Sequence, residues 1–277
     1  MRGVAAAAAT LSLLLTTSIV AAQERTPTDR PEPPLPAGRE HFQLKFGAGY
    51  DQGDFGTRDT TRSFYTPVTF RYLGDRFDVG VTASIIYLDT ESSVVIVEGV
   101  PTPTGKQERT QSFGFGDLYF KGRYYLIEDK GPQSWVPGLA PFLKVKAPTA
   151  NADKGFGTGE WDVGFGLEWD KLFREFFLLG DVSYTVMGDP PGQDFRNRPG
   201  ASIGIGRQLT RELAATVLLD WRRAIVAGHD DAVELNGILQ WRLSRTLLFS
   251  PYIFVGLTNG SPDFGLGFEV SWKFGRY

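Results

Sequence analysis

With two histidines, no cysteine and no serine in a recognisable nucleophile turn, this 277-residue chain has few groups for covalent chemistry. Zinc sites of the Cys or His type need three or four such ligands, so the inventory all but excludes them. A serine hydrolase needs a Ser–His pair with a third group orienting the base. His41 stands at the start of the first regular segment, and His229 lies in an acidic run, His229-Asp230-Asp231. Neither comes with a nucleophile motif, so no catalytic residue and no enzymatic activity are expected. The Gly-x-Gly pairs at Gly47/Gly49, Gly155/Gly157, Gly204/Gly206 and Gly265/Gly267 lack the third glycine and the following helix of a nucleotide-binding turn. They read as strand positions kept small, and no cofactor is implied. The acidic residues Asp51, Asp54, Asp189, Asp194, Asp230 and Asp231 could hold divalent cations or bridge through them to lipopolysaccharide, but solvated loop charge is the commoner role. A net charge of -3 gives no sign of a nucleic-acid partner.

The remaining charged residues fall at every second position of long alternating segments. In the last of these, Phe264, Leu266, Phe268, Val270, Trp272 and Phe274 alternate with Gly265, Gly267, Glu269, Ser271 and Lys273. Successive side chains of a strand point to opposite faces, so one face is apolar and the other small or charged. The same division recurs from His41 onward. It predicts about twelve strands, near 41–50, 62–73, 76–89, 112–127, 138–147, 160–170, 175–187, 198–208, 211–222, 232–243, 246–257 and 263–275. Most are long enough to cross a bilayer at a tilt, which takes about 9–11 residues.

Alternation alone does not say which face looks inward. A small soluble barrel fills its interior with the apolar face and shows charge outside. Here Phe, Trp, Tyr and Leu crowd one face of nearly every strand, while Gly, Ser, Thr and isolated charges occupy the other. Twelve strands of large rings turned inward would overfill the interior. Lipid takes that bulk, and the expected fold is therefore an all-β closed antiparallel transmembrane barrel around a narrow polar lumen. Closure also leaves no unpaired edge in the bilayer. Trp161, Trp169, Tyr184, Trp221, Trp241, Tyr252 and Trp272 fit aromatic girdles at the two interfaces. The lumen, and with it the expected solute pathway, then holds Asp78, Asp117, Lys121, Arg123, Lys144, Lys146, Asp162, Glu168, Asp181, Asp220, Arg222, Glu234, Arg242, Glu269 and Lys273. Basic residues on neighbouring strands face acids on the next two. Such walls would either set up a transverse field that orients solutes or pair off and narrow the bore.

The connections also alternate. Short turns fall at 74–75, 170–174, 208–211 and 243–245, and longer polar loops at 51–61, 90–111, 148–159, 188–198, 224–231 and 258–263. Short turns on the periplasmic side and long loops outside are the asymmetry of an outer-membrane barrel. The break at 128–137 is out of pattern, being longer than its place in the order requires. At the N-terminus, Arg2, an apolar run over 4–20 and the small residues Ala21-Ala22 have the layout of a secretory signal peptide, residues 1–22. An uncleaved anchor helix fits less well, since the apolar run is short and interrupted by Thr and Ser. Residues 23–40 are Pro-rich and charged, an extended segment that dangles or threads into a pore; the barrel domain is 41–277. Tyr277 supplies a terminal aromatic of the kind that barrel insertion signals carry, one residue out of step with the apolar phase.

Gly114-Phe115-Gly116-Asp117-Leu118, the run Pro141 to Thr149, and Gly155-Phe156-Gly157-Thr158-Gly159 before Trp161-Asp162 resemble motifs of the outer-membrane barrel family named for the meta-pathway of phenol degradation. The second motif departs from the pattern: Ala147 intervenes before Pro148, and Ala150 stands where glycine is common. The resemblance implies an outer-membrane barrel passing small solutes, with aromatic or hydrophobic compounds as the class. Expected partners are outer-membrane lipid and lipopolysaccharide, the barrel assembly machinery and the solute. The alternative is a structural or interaction barrel whose lumen is blocked and whose long loops, chiefly 90–111, bind a partner.

Overall fold

The computed structural model describes residues 41–55, 59–90, 94–97, 100–103 and 110–275. The signal-peptide and Pro-rich segments and Tyr277 lie outside the described residues. Among the described residues fifteen strands are formed: β1 (Phe42–Gly53), β2 (Thr61–Leu73), β3 (Phe77–Thr90), β4 (Val94–Val97), β5 (Val100–Pro103), β6 (Thr110–Phe115), β7 (Leu118–Tyr124), β8 (Gly138–Ala147), β9 (Asp162–Phe173), β10 (Phe176–Val186), β11 (Arg198–Gln208), β12 (Leu213–Arg222), β13 (Ala232–Arg242), β14 (Leu247–Gly256) and β15 (Phe264–Phe274). Each long strand pairs antiparallel with its sequence neighbours, β1 pairs with β15, and β6 and β7 both pair with β3. The sheet is therefore a closed antiparallel barrel of twelve staves, one of them made of β6 and β7 end to end. Closure satisfies the edge amides and carbonyls that a bilayer could not. Among the described residues no helix is long and apolar enough to cross a membrane.

Burial confirms the inside-out assignment. Ile203 on β11 is 57% exposed and Phe120 on β7 is 47% exposed, while Lys45, Asp78, Glu234 and Glu269 are each 3% exposed or less. In water this distribution would run against the hydrophobic effect along the whole wall. Against acyl chains it is the favourable arrangement. Ile203 sits at the middle of its strand, opposite Gly180 on one side and Leu219 on the other. Ile203→Arg is expected to destabilise the barrel by about 2–4 kcal/mol, against about 0–1 for Val186→Arg at the end of β10. The temperature at which the heat-modifiable electrophoretic band disappears would report the difference.

Three expectations need correction. The predicted strand 112–127 is broken at Gly116-Asp117 into β6 and β7, because Asp117 turns its carboxylate inward to hold a loop. The predicted loop 90–111 carries a short hairpin, β4–β5. Tyr252 is no girdle residue: it faces the lumen, and its hydroxyl donates to the Ala48 carbonyl at 3.4 Å. The segment between β7 and β8, too long for its place, is tied down at the short-turn end. There Lys171 donates to the Asp129 carboxylate and, at 2.9 Å, to the Gly131 carbonyl.

Candidate functional site: the barrel interior

The interior is built from every second residue of the staves, and its charges form networks. Toward the short-turn end Gln43 Nε2 donates to Ser271 Oγ at 2.7 Å, and Gln43 Oε1 accepts from Arg71 Nη1 at 2.9 Å. Arg71 Nη2 lies 2.9 Å from Asp78, which also takes Arg123 Nε at 3.3 Å and the Tyr125 hydroxyl. Arg123 continues to Glu168 at 3.1 Å, and Lys121 reaches the same carboxylate at 2.7 Å. Lys45 pairs with Glu269 at 3.5 Å. This chain of partners runs from β15 through β1, β2, β3 and β7 to β9, about half of the inner circumference.

The opposite wall is acidic. Strand register aligns Glu168, Asp181, Ser202, Asp220 and Glu234 in one row across five neighbouring strands, β9 to β13. Glu168 is met by Lys121 and Arg123. Arg222 is 2.7 Å from Asp220 and 3.7 Å from Glu234, and Ser202 donates to Asp181. Pairing is thus the rule among these residues, as their burial in a confined space requires. A residual asymmetry survives, with carboxylates along β9–β13 and cations along β1, β2, β7 and β8.

A third cluster lies at the long-loop end. Lys146, 1% exposed, has Asp162 at 2.6 Å, Thr158 Oγ1 at 2.7 Å and Asp117 at 3.7 Å. Asp117 also accepts from the Ala150 amide at 2.9 Å, and Thr149 Oγ1 accepts from the Leu118 amide at 2.9 Å. These contacts fold the β8–β9 loop inward. A single 3-10 turn, Ala152–Lys154, ends at Gly155 in the left-handed region (φ 75°) and turns the chain so that Phe156 enters the barrel. Gly157 lies where a Cβ would be 2.4 Å from an Asp117 oxygen, so a larger residue would push the loop off the cluster.

The lumen is less polar than the sequence implies. Phe156 packs with Tyr65 and Ile86, with Leu88, and with Ile238, Tyr252 and Phe254 from the far side, all buried. Toward the short-turn end Leu172, Phe177, Leu179, Ala214 and Leu218 form a second apolar cluster. The glycine pairs make the room: a Cβ at Gly206 would fall 1.9 Å from the Phe177 ring, and one at Gly265 would fall 2.2 Å from Phe254. Each inward ring lies over a neighbour that has no side chain.

All fourteen candidate positions from Asp117 to Lys273 are on the inward face of their staves. Lys144 lies half-buried over Gly164, and Arg242 and Lys273 are half-buried near the short turns. Gln43, Lys45 and Arg71 were missed, yet the same two-residue phase applied to 43–51 and 61–73 picks them out. Phe156 had no such signal, since loop residues have no phase. Among the described residues no group of three or more His, Cys, Asp or Glu is placed to hold a metal ion. His41 lies at the short-turn end beside the Leu73 carbonyl, and His229 lies at the opposite end.

No family model matches the chain. Solved structures with the same architecture include an outer membrane channel from Pseudomonas putida F1, with a TM-score of 0.61, 15% identity and coverage of 89% of this chain and 100% of that one. The transport unit of the autotransporter AIDA-I from Escherichia coli gives 0.53 at 10% identity, covering 92% and 95%. The translocator domain of the autotransporter NalP from Neisseria meningitidis gives 0.52 at 10%, covering 87% and 90%. At these identities the likeness is one of fold, and with the apolar outer wall and charged interior it makes the chain a transmembrane β-barrel of the outer-membrane type.

Proposed function

We propose that the chain is an outer-membrane channel that passes small solutes through its lumen, with aromatic or hydrophobic compounds as the class to test first. The observation that carries this reading is the interior itself, where charged rows and two apolar, ring-bearing clusters line one bore. Such a wall suits solutes with an apolar body and a polar end. The motifs shared with the phenol meta-pathway barrels favour the same class. Export by cleavage after residue 22, insertion by the barrel assembly machinery and contact of the loops with lipopolysaccharide belong to this reading. So does the assignment of Asp117, Lys121, Arg123, Lys144, Lys146, Asp162, Glu168, Asp181, Asp220, Arg222, Glu234, Arg242, Glu269 and Lys273 to the solute pathway.

A second reading, a blocked barrel that works through its loops, is favoured by Phe156 and by the ion pairs around the bore. Flux through purified protein in liposomes separates the two. Leak of small aromatic solutes, faster than that of sugars of equal size, supports the channel. Absence of leak at any size or charge overturns it in favour of the blocked barrel.

A further inference from the structure

We infer that the β7–β8 connector, residues 128–137, is an interfacial anchor that seats Trp135 among the phospholipid headgroups and ester carbonyls at the short-turn end. Trp135 is 87% exposed, Val136 beside it 44%, and Leu126, in the outward phase of β7, 55%. The connector lies against the outer wall. On β9 the odd-numbered residues face lipid, as exposed Val163 and Phe165 do, and that phase continues through Lys171 and Phe173. Lys171 Nζ lies 5.8 Å from the centre of the Phe173 ring. The Trp135 ring stands edge-on to Phe173, with centroids 6.3 Å apart. Phe173 is in register with Phe176, and Phe176 with Arg207, whose guanidinium lies 5.2 Å over the Phe176 ring. The exposed patch on the connector is thus continuous with the apolar band that lipid covers, at the level where rings meet charges.

A lysine in the lipid-facing phase is unfavourable unless its charge is met, and the connector meets it. Lys171 is 5% exposed and donates to the Asp129 carboxylate and to the Gly131 carbonyl. Asp129 also accepts from the Leu172 amide, so the connector is fastened to the end of β9. It is ordered within itself as well. The Gly131 amide donates to Asp129 at 2.9 Å, and Gly131 makes the turn at φ 86°. The Ser134 amide donates to the Gly131 carbonyl, and the Val136 amide to Ser134 Oγ, each at 3.1 Å. The Ile127–Leu139 bridge holds its root. Exposed Glu128 and Lys130 flank this fold and suit a headgroup layer. Tryptophan, apolar in body with one N–H donor, is the side chain enriched at that depth. The excess length of the connector is explained: a tight turn would leave Lys171 bare and carry no ring outward.

Tryptophan emission reads the anchor without any solute flux, so it stands or falls separately from passage through the lumen. Trp161, Trp169, Trp221, Trp241 and Trp272 are replaced by phenylalanine, which leaves Trp135 as the single emitter. The folded protein is placed in phosphatidylcholine vesicles whose chains carry bromine either next to the ester carbonyls or near the methyl ends. The shallow bromine is expected to quench Trp135 severalfold more than the deep one. Iodide on both sides of the vesicle is expected to quench it far less than free tryptophan amide. If the single-tryptophan protein does not fold, Trp135→Phe in the otherwise unaltered chain is expected to remove a share of the shallow-quenched emission. Full quenching by iodide with none by bromine would put the connector in water. Protection from both would put a second protein chain over it, and stronger quenching by the deep bromine would put the ring in the acyl core. Each of these overturns the anchor. Asp129→Ala unties the connector from Lys171, and its Trp135 emission is expected to shift to longer wavelength and lose shallow quenching. Undiminished shallow quenching in folded Asp129→Ala would overturn the fastening.

Discussion

Replacing Lys146 with methionine is expected to lower the stability of the barrel by about 3–5 kcal/mol, because it leaves buried carboxylates without their cation. Lys146 is 1% exposed and within 3.7 Å of both Asp162 and Asp117, which are themselves 2% and 1% exposed. Methionine keeps much of the volume, so the loss is electrostatic and not a cavity effect. The sign follows from the asymmetry between removing one partner and removing all. Lys146→Met combined with Asp117→Asn and Asp162→Asn is expected to recover much of the loss, since neutral amides can be satisfied by Thr158 and by backbone. The same cluster fixes the β8–β9 loop through Ala150 and Thr158, so the single variant should also show noisier single-channel current. Heat-modifiable electrophoresis and planar-bilayer recording check the two halves. A melting profile and current trace like those of the unaltered protein would show that the cluster neither braces the barrel nor holds the loop.

The staves and their two faces could be read from the sequence because period-two alternation is a local property. Phe264 to Phe274 declares its outer and inner residues without knowledge of any neighbour. What alternation cannot give is the register between strands. The row formed by Glu168, Asp181, Ser202, Asp220 and Glu234 exists only once five strands are aligned, and no spacing along one strand encodes it. The inward face of Tyr252 has no mark in the sequence, because Tyr252, Ile253, Phe254 and Val255 are all large and size does not distinguish the faces of β14. The deciding feature is on the next strand, where Gly265 and Gly267 leave the space that Phe254 and Tyr252 fill. The break at Gly116-Asp117 does leave a mark in the sequence. The outward apolar residues are odd-numbered at Phe113 and Phe115 and even-numbered at Leu118 and Phe120, so Gly116 and Asp117 both face inward and one extra residue separates β6 from β7.

Phe156→Ala is expected to raise single-channel conductance while leaving a folded barrel. Phe156 is supplied by a loop, so the strand ladders do not depend on it, and its ring is 1% exposed against residues of β2, β3, β13 and β14. Those staves stand on different sides of the bore, and a ring packed among them fills space that would otherwise be open. A fully buried Phe→Ala change in a closed core costs about 3–5 kcal/mol. That figure is an upper bound here, because water entering from the long-loop mouth fills the vacated space. Gly114→Ala probes the same spot from the wall, since its Cβ would come within 2.6 Å of the Phe156 ring and displace it. Both variants should therefore shift conductance in the same direction, Gly114→Ala by less. If Phe156→Ala conducts as the unaltered protein does, the limiting section lies lower, at the charged row or at Phe177 and Leu179. If Phe156→Ala alone turns a closed barrel into a conducting one, the loop is the stopper and the Lys146 cluster its fastening.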